Sequence, residues 1–249
     1  MTARPAAAVS CHVERPLDAR VWGRFWDVLT ARRGNLAIAA LMRPPDPAAG
    51  EDEALWLRRA RAAAASGPFG LHTHWTSPGH ARPTGGEPAE RVARELGWLR
   101  ERELQATLFA GGGWYMDVVV AETLAAAGVT DCTATAFRPA YLPPNAPRIG
   151  VAAPARLVLP SGARLLELPS THSLGMLARA LVRRLDAPVV HAYFHDTDLI
   201  HPVRRATLLA ALTALGRLRG APTDLDTLRA AHADAPETPF EDVYENAPA

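Results

Sequence analysis

Short apolar runs that read as strands alternate with helical patterns along most of this 249-residue chain, and that alternation limits the fold more than any other feature. Strand-like runs fall at Ala6–His12, Leu36–Leu41, Leu71–His74, Thr107–Ala110, Thr130–Ala134 and Val189–His195. Parallel strands need a long crossover, and a helix supplies it, so the pattern predicts parallel βα units in an α/β fold. The first helix is signalled by Asp18 as N-cap, by an apolar stripe of Val21, Trp22, Phe25, Trp26, Val28 and Leu29, and by Gly34 at its end. Further helices are predicted over Glu51–Ala65, from Pro88 with Glu90 and Arg94 as an i,i+4 pair, over Asp117–Ala127 closed by Gly128, and over Pro202–Leu218. Arg156–Leu168 reads as a hairpin about Ser161-Gly162. The stretch Arg138–Pro154, with prolines at 139, 143, 144, 147 and 154, is too proline-rich for a helix and is expected to be an ordered loop near the site or a lid. With no internal repeat or low-complexity linker, residues 1–235 read as one domain and 236–249 as a loose tail.

Composition removes several classes of function. Hydrophobic residues make up 48% and charged residues 21%, and 27 Lys+Arg stand against 26 Asp+Glu, which argues against disorder and against general attraction to nucleic acid. The longest apolar run, Leu36 to Met42, is far short of the ~20 residues of a membrane helix. The N-terminal residues lead into a strand without the apolar core of a signal peptide, and only Cys11 and Cys132 are present, so the expectation is a cytoplasmic protein in a reducing compartment. On a strand Cys11 and His12 face opposite ways, which disfavours a Cys-His nucleophile pair.

The chemistry concentrates in Gly70-Leu71-His72-Thr73-His74-Trp75. Spacing two on a strand turns both imidazoles to one face, where their nitrogens can share a divalent ion, zinc above all. His12 and Glu14 share a face of the first strand in the same way, so two strands offer His, His and Glu. His195 ends the last strand and is followed by Asp196, Asp198 and His201, where barrel enzymes place functional loops; Asp198 or His201 can equally start the next helix. His191 shares the strand face of His195 but lies too far along it to meet the same ion easily. Gly111-Gly112-Gly113 lacks both the dinucleotide and the Walker patterns, and reads instead as a turn that brings backbone near a substrate. Trp75, Trp114 and Tyr115 offer faces for a sugar ring, and the same residues would serve equally as partly buried core.

Three segments, in order, resemble the polysaccharide deacetylases, the NodB-homology carbohydrate esterases. They are Gly70-Leu71-His72-Thr73-His74, then Leu108 to Tyr115 with the helix and strand after it, and Val189 to Asp198 with Leu166-Glu167-Leu168-Pro169 upstream. The resemblance implies an irregular or incomplete (β/α) barrel. It also implies a divalent metal ion, zinc in the first instance, on Glu14, His72 and His74, with His12 and His195 catalytic. Trp75, Gly112, Gly113, Trp114, Tyr115 and Asp196 would contact substrate. Two departures stand out: His12 occupies the position of the family's base carboxylate, and Ala110 that of the arginine that orients it. They are mutually consistent, because an arginine beside an imidazole would disfavour its protonation. The implied function is a metal-dependent deacylase releasing an acyl group, N-acetyl in the first instance, from an amino sugar or related small intermediate. The alternatives are an inactive barrel that binds carbohydrate or a biosynthetic partner, and a metal-assisted hydrolysis of a cyclic amide on the same scaffold.

Overall fold

The computed structural model describes residues 5–143, 145–183, 187–219 and 221–245; Pro144 of the proline-rich loop and residues 246–249 of the expected tail lie outside them. The chain opens with β1 (Ala6–Val13), α1 (Ala19–Ala31), β2 (Ile38–Met42), α2 (Glu53–Ser66), β3 (Phe69–Thr73), α3 (Pro88–Glu101), β4 (Leu108–Gly111), α4 (Val118–Ala127) and β5 (Thr130–Asp131). These strands pair in parallel in the order β5-β4-β3-β2-β1. The caps fall where the sequence places them: Asp18 accepts from the N–H groups of Arg20 and Val21, Asp117 from that of Val120, and Gly128 ends α4 at φ 67°. The predicted Glu90–Arg94 pair on α3 is replaced by Arg91–Glu95, at 2.8 Å, because Glu95 turns inward to meet β3.

A long excursion follows, carrying β6 (Arg148–Ile149) and β7 (Ala155–Val158) before β8 (Arg164–Glu167), β9 (His172–Ser173), α5 (Leu174–Arg183), β10 (Val189–His195) and α6 (Pro202–Leu218). β7 and β8 form the predicted antiparallel hairpin. β8 lies beside β5 through the single register pair Asp131–Glu167, and β9 lies beside β10, which in turn pairs with β1. Pro169 separates β8 from β9, so one extended segment serves as a broken stave: its first half hydrogen-bonds to the β5 side and its second half to β10. That segment closes an otherwise open, largely parallel sheet into an irregular (β/α) barrel.

Strand alternation sorts the side chains into two layers. Val9, Cys11 and Val13 of β1 face outward with Phe25, Leu29, Trp56 and Phe194 in the main core between sheet and helices. Ala8, Ala39, Leu41, Leu108, Ala110 and Cys132 fill the narrow barrel interior. Gly70 belongs to this inner layer by necessity, since a Cβ there would lie 2.4 Å from the Leu108 carbonyl oxygen. β11 (Ala221–Pro222) adds to β1, and α7 (Leu225–Ala231) closes the interior from below with Leu225 and Leu228.

The region expected to be a loose tail is ordered over its first part. β12 (Glu237–Pro239) pairs with β7, α8 (Phe240–Val243) buries Phe240, and β13 (Tyr244–Glu245) pairs with β6. Glu245 also accepts from the guanidinium groups of Arg138 and Arg148, the latter buried. These contacts are non-local, which is why polarity alone misreads the segment.

Candidate metal centre

The C-terminal ends of β1, β3, β4 and β10 open into one cleft of about 430 Å³. His72 is the last but one residue of β3 and points inward, and His74, one residue past β3, lies on the same side with the two rings 5.0 Å apart. The outer face of β3 holds them there: Thr73 donates to Glu95 at 2.7 Å, and Arg91 of the same helix donates to the Trp75 carbonyl at 2.9 Å. Glu14 follows β1, and Arg43, clamped by two hydrogen bonds to Glu51, donates to the Glu14 carbonyl.

The three side chains converge. The Nε2 atoms of His74 and His72 lie 3.5 and 3.9 Å from one Glu14 carboxylate oxygen, and the three ligand atoms lie within 4.8 Å of one another. Nδ1 of His72 faces the Ala110 carbonyl at 2.9 Å, and Nδ1 of His74 faces the Pro78 carbonyl at 2.7 Å. A carbonyl can only accept, so each Nδ1 carries the proton and each Nε2 presents a lone pair. Both Nε2 atoms are buried without a hydrogen-bond partner. Donors about 2.0–2.2 Å from a tetrahedral zinc stand about 3.3 Å from each other, close to the spacing found. The donor set therefore fits a divalent ion.

His12 sits at the floor of the cleft, stacked 4.5 Å from the His72 ring and 5.2 Å from Tyr193, with His195 edge-on at 5.3 Å. Burial, with the neighbouring His72 and His195, holds its pKa well below the ordinary imidazole value, so it is neutral near pH 7 and its Nε2 is unpartnered. His195 stands at the rim, its Nε2 3.7 Å from Glu14 and its Nδ1 3.9 Å from Asp198, whose other oxygen binds Arg204 at 2.6 Å. Asp198 thus faces His195 as well as accepting its backbone N–H in the turn before α6.

Other expected contacts fall elsewhere. Trp75 is buried against Phe109 and Tyr115 and donates to the Gly112 carbonyl, and Tyr115 binds Asp117, so neither lines the cleft. Asp196 is fully buried beneath it, accepting from the Arg15 N–H, and burial lifts its pKa to about 6. Gly113 and Trp114 do line the cleft. The glycine run serves the chain's own packing: a Cβ on Gly112 would lie 2.6 Å from the carbonyl oxygens of Ala81 and Thr73. Trp114 adopts φ 61°, a conformation side chains rarely take, and its indole N–H binds the Tyr141 hydroxyl at 2.7 Å. His191 is a satisfied interior residue, bound to Ser10 at 2.8 Å and to the Leu168 carbonyl.

Sequence reading missed Arg82 and Tyr141, which line the cleft from the loops after β3 and β5. Neither sits in a periodic pattern. The proline-rich loop was the one available signal for Tyr141.

No protein-family model and no curated protein matches the chain. Solved structures do. A protein from Mycobacterium smegmatis assigned as a polysaccharide deacetylase superimposes with a TM-score of 0.65 at 13% identity, covering 99% of this chain and 94% of that one. A second, from Bordetella bronchiseptica and assigned as a polysaccharide deacetylase involved in O-antigen biosynthesis, gives 0.52 at 13% identity over 83% and 90%. The chain shares its fold with these two structures. A 4-alpha-glucanotransferase from Thermococcus litoralis gives 0.60 at 10% identity over 96% of this chain but 42% of its own, so the chain spans under half of that enzyme. Within this fold Glu14 and His72 line the cleft at the strand ends, and His74 lines the pocket beside it.

Proposed function

We propose that this chain is a metal-dependent deacylase that removes an acyl group, N-acetyl in the first instance, from an amino sugar or a related small biosynthetic intermediate. The observation that carries the reading is the convergence of two buried, unpartnered imidazole nitrogens on Glu14 in an open cleft. Glu14, His72 and His74 would hold the ion, which when bound polarises an acyl carbonyl and acidifies water.

The remaining steps belong to the chain. Neutral His12, with a free Nε2 on the cleft floor, accepts the proton of the attacking water. His195 protonates the departing nitrogen, which an amide requires before its C–N bond breaks, and Asp198 positions that ring. The Gly111 N–H is committed to Thr133 Oγ1, so any backbone stabilisation of the oxyanion falls to the following residues of the turn. Trp114 supplies the apolar wall against which a sugar ring can lie. No helix among the described residues is long and apolar enough to cross a membrane, and a small water-soluble substrate suits the open cleft.

The test is zinc binding by calorimetry on the chelator-stripped protein, followed by acetate release from a panel of N-acetylated amino sugars. The reading predicts one zinc per chain, lost in the His72→Ala, His74→Ala double variant, and zinc-dependent acetate release. Zinc binding with no acyl release from any sugar would favour the inactive binding barrel, for which the replacement of the base carboxylate by His12 speaks. Release from cyclic amides alone would favour the third reading.

A further inference from the structure

We infer that the substrate of this cleft carries a negative charge, on a carboxylate or a phosphate, and that Arg82 receives it; the inference deepens the deacylase reading and rests on the same cleft. Among the described residues Glu14 is the only carboxylate that lines the cavity, and it is turned toward His72 and His74. Among the same residues Arg82 is the only arginine that lines it. Arg43 and Arg204 are neutralised by Glu51 and Asp198, and Arg15 lines the neighbouring pocket with Asp18 rather than this cleft. Among the described residues no carboxylate pairs with Arg82. Its contacts are a hydrogen bond from Nη2 to the Tyr141 carbonyl at 2.8 Å and a position 5.0 Å above the Tyr141 ring.

A guanidinium has five N–H donors in a fixed fork, and that one carbonyl takes a single donor. The position is built rather than incidental. The Arg82 stem crosses Gly113, whose φ is 62°, and a Cβ there would meet Arg82 Cγ at 2.3 Å. Tyr141, below the guanidinium, is itself bound by the Trp114 indole, so the loops after β3, β4 and β5 are tied together around this one cation. A divalent ion with Glu14 and two neutral imidazoles leaves one net positive charge, and Arg82 adds a second. A cleft of that balance attracts and orients an anion in preference to a neutral sugar.

The experiment compares equilibrium binding of N-acetylglucosamine, its 6-phosphate and its carboxylate-bearing 3-lactyl ether, by calorimetry on the full chain with and without zinc. One or both anionic forms should bind about 10- to 100-fold more tightly than the neutral sugar, the preference shrinking as salt is raised. Arg82→Gln should bring that ratio close to one and Arg82→Lys should restore much of it; a general loosening of the loop would weaken all three ligands alike and leave the ratio. Preference for the phosphate alone or the carboxylate alone supports the inference and names the group. No preference among the three, or one that survives in Arg82→Gln, overturns it. Zinc titrations on the same samples separate the two ideas: zinc bound without anion preference sinks the role of Arg82 alone, and anion preference without zinc binding sinks the metal reading.

Discussion

His195 stands between two carboxylates with different tasks, one oxygen of Glu14 on its Nε2 side and one of Asp198 on its Nδ1 side. A ring so placed can release a proton into the cleft from Nε2 while Nδ1 remains oriented from behind. Replacing it with glutamine keeps the approximate shape and removes the titrating group, so His195→Gln should lower the rate of acetate release about 10²- to 10⁴-fold. Asp198→Asn should cost less, because Arg204 and the backbone still hold the turn. Initial rates on the zinc-loaded variants check both, and an unchanged rate in His195→Gln would remove it from the chemistry. His72 with His74, and His12 with Glu14, were legible in the sequence because spacing two pairs them on one face, whereas His195 and the meeting of the strands rested on the family resemblance. Arg82 and Tyr141 were not, because their meeting depends on two loops about 60 residues apart whose conformations no local pattern encodes.

Among elements, the turn after β4 shows how a glycine can be essential without touching substrate. Gly112→Ala would press a methyl group into two carbonyl oxygens that cannot retreat independently, since one belongs to β3 and the other to the loop that carries Arg82. A loss of about 1–3 kcal/mol is expected, read from urea midpoints. Gly23 in α1 is the contrast, with open space around its missing Cβ, and Gly23→Ala should stabilise by up to about 1 kcal/mol. Equal effects at the two sites would undo the packing argument. Periodicity and caps made α1, α4 and α6 readable nearly to their ends. α7 was overlooked because it is short, and the β12–α8–β13 run because its few residues are fixed only by partners far away in sequence; α5, as long as α4, was overlooked too.

At the scale of the whole molecule, ring closure depends on a narrow seam. The register pair joining β5 to β8 is Asp131–Glu167, two fully buried carboxyls. Burial, then the charge of its neighbour, pushes Glu167 well above the carboxylate range; burial raises Asp131 as well, against hydrogen bonds that partly offset it. Folded pKa values above the unfolded ones mean that the folded state holds the extra proton, so this contribution is fully present in acid and is lost as pH rises through the folded values. Urea unfolding in mildly acidic and then alkaline buffer should therefore show a loss of stability that Glu167→Gln makes shallower. Parallel profiles for the two proteins would place the alkaline weakness elsewhere.

The broken stave also decides which part of the molecule can be exchanged. The ring runs from β5 straight to β8 and β9, so the chain between Cys132 and Ala163 is a detour that enters and leaves at neighbouring points of the barrel wall. Between Phe137 and Pro147, outside β6 and β7, its length can change at small entropic cost without resetting the register of a barrel strand. Tyr141 rides on that detour, while His72 stands in β3 and Glu14 and His74 lie one residue past β1 and β3. The scaffold thus behaves as a fixed reaction chamber with a replaceable cassette, in which a graft of one contiguous segment can retune what enters while the metal ligands stay where they are.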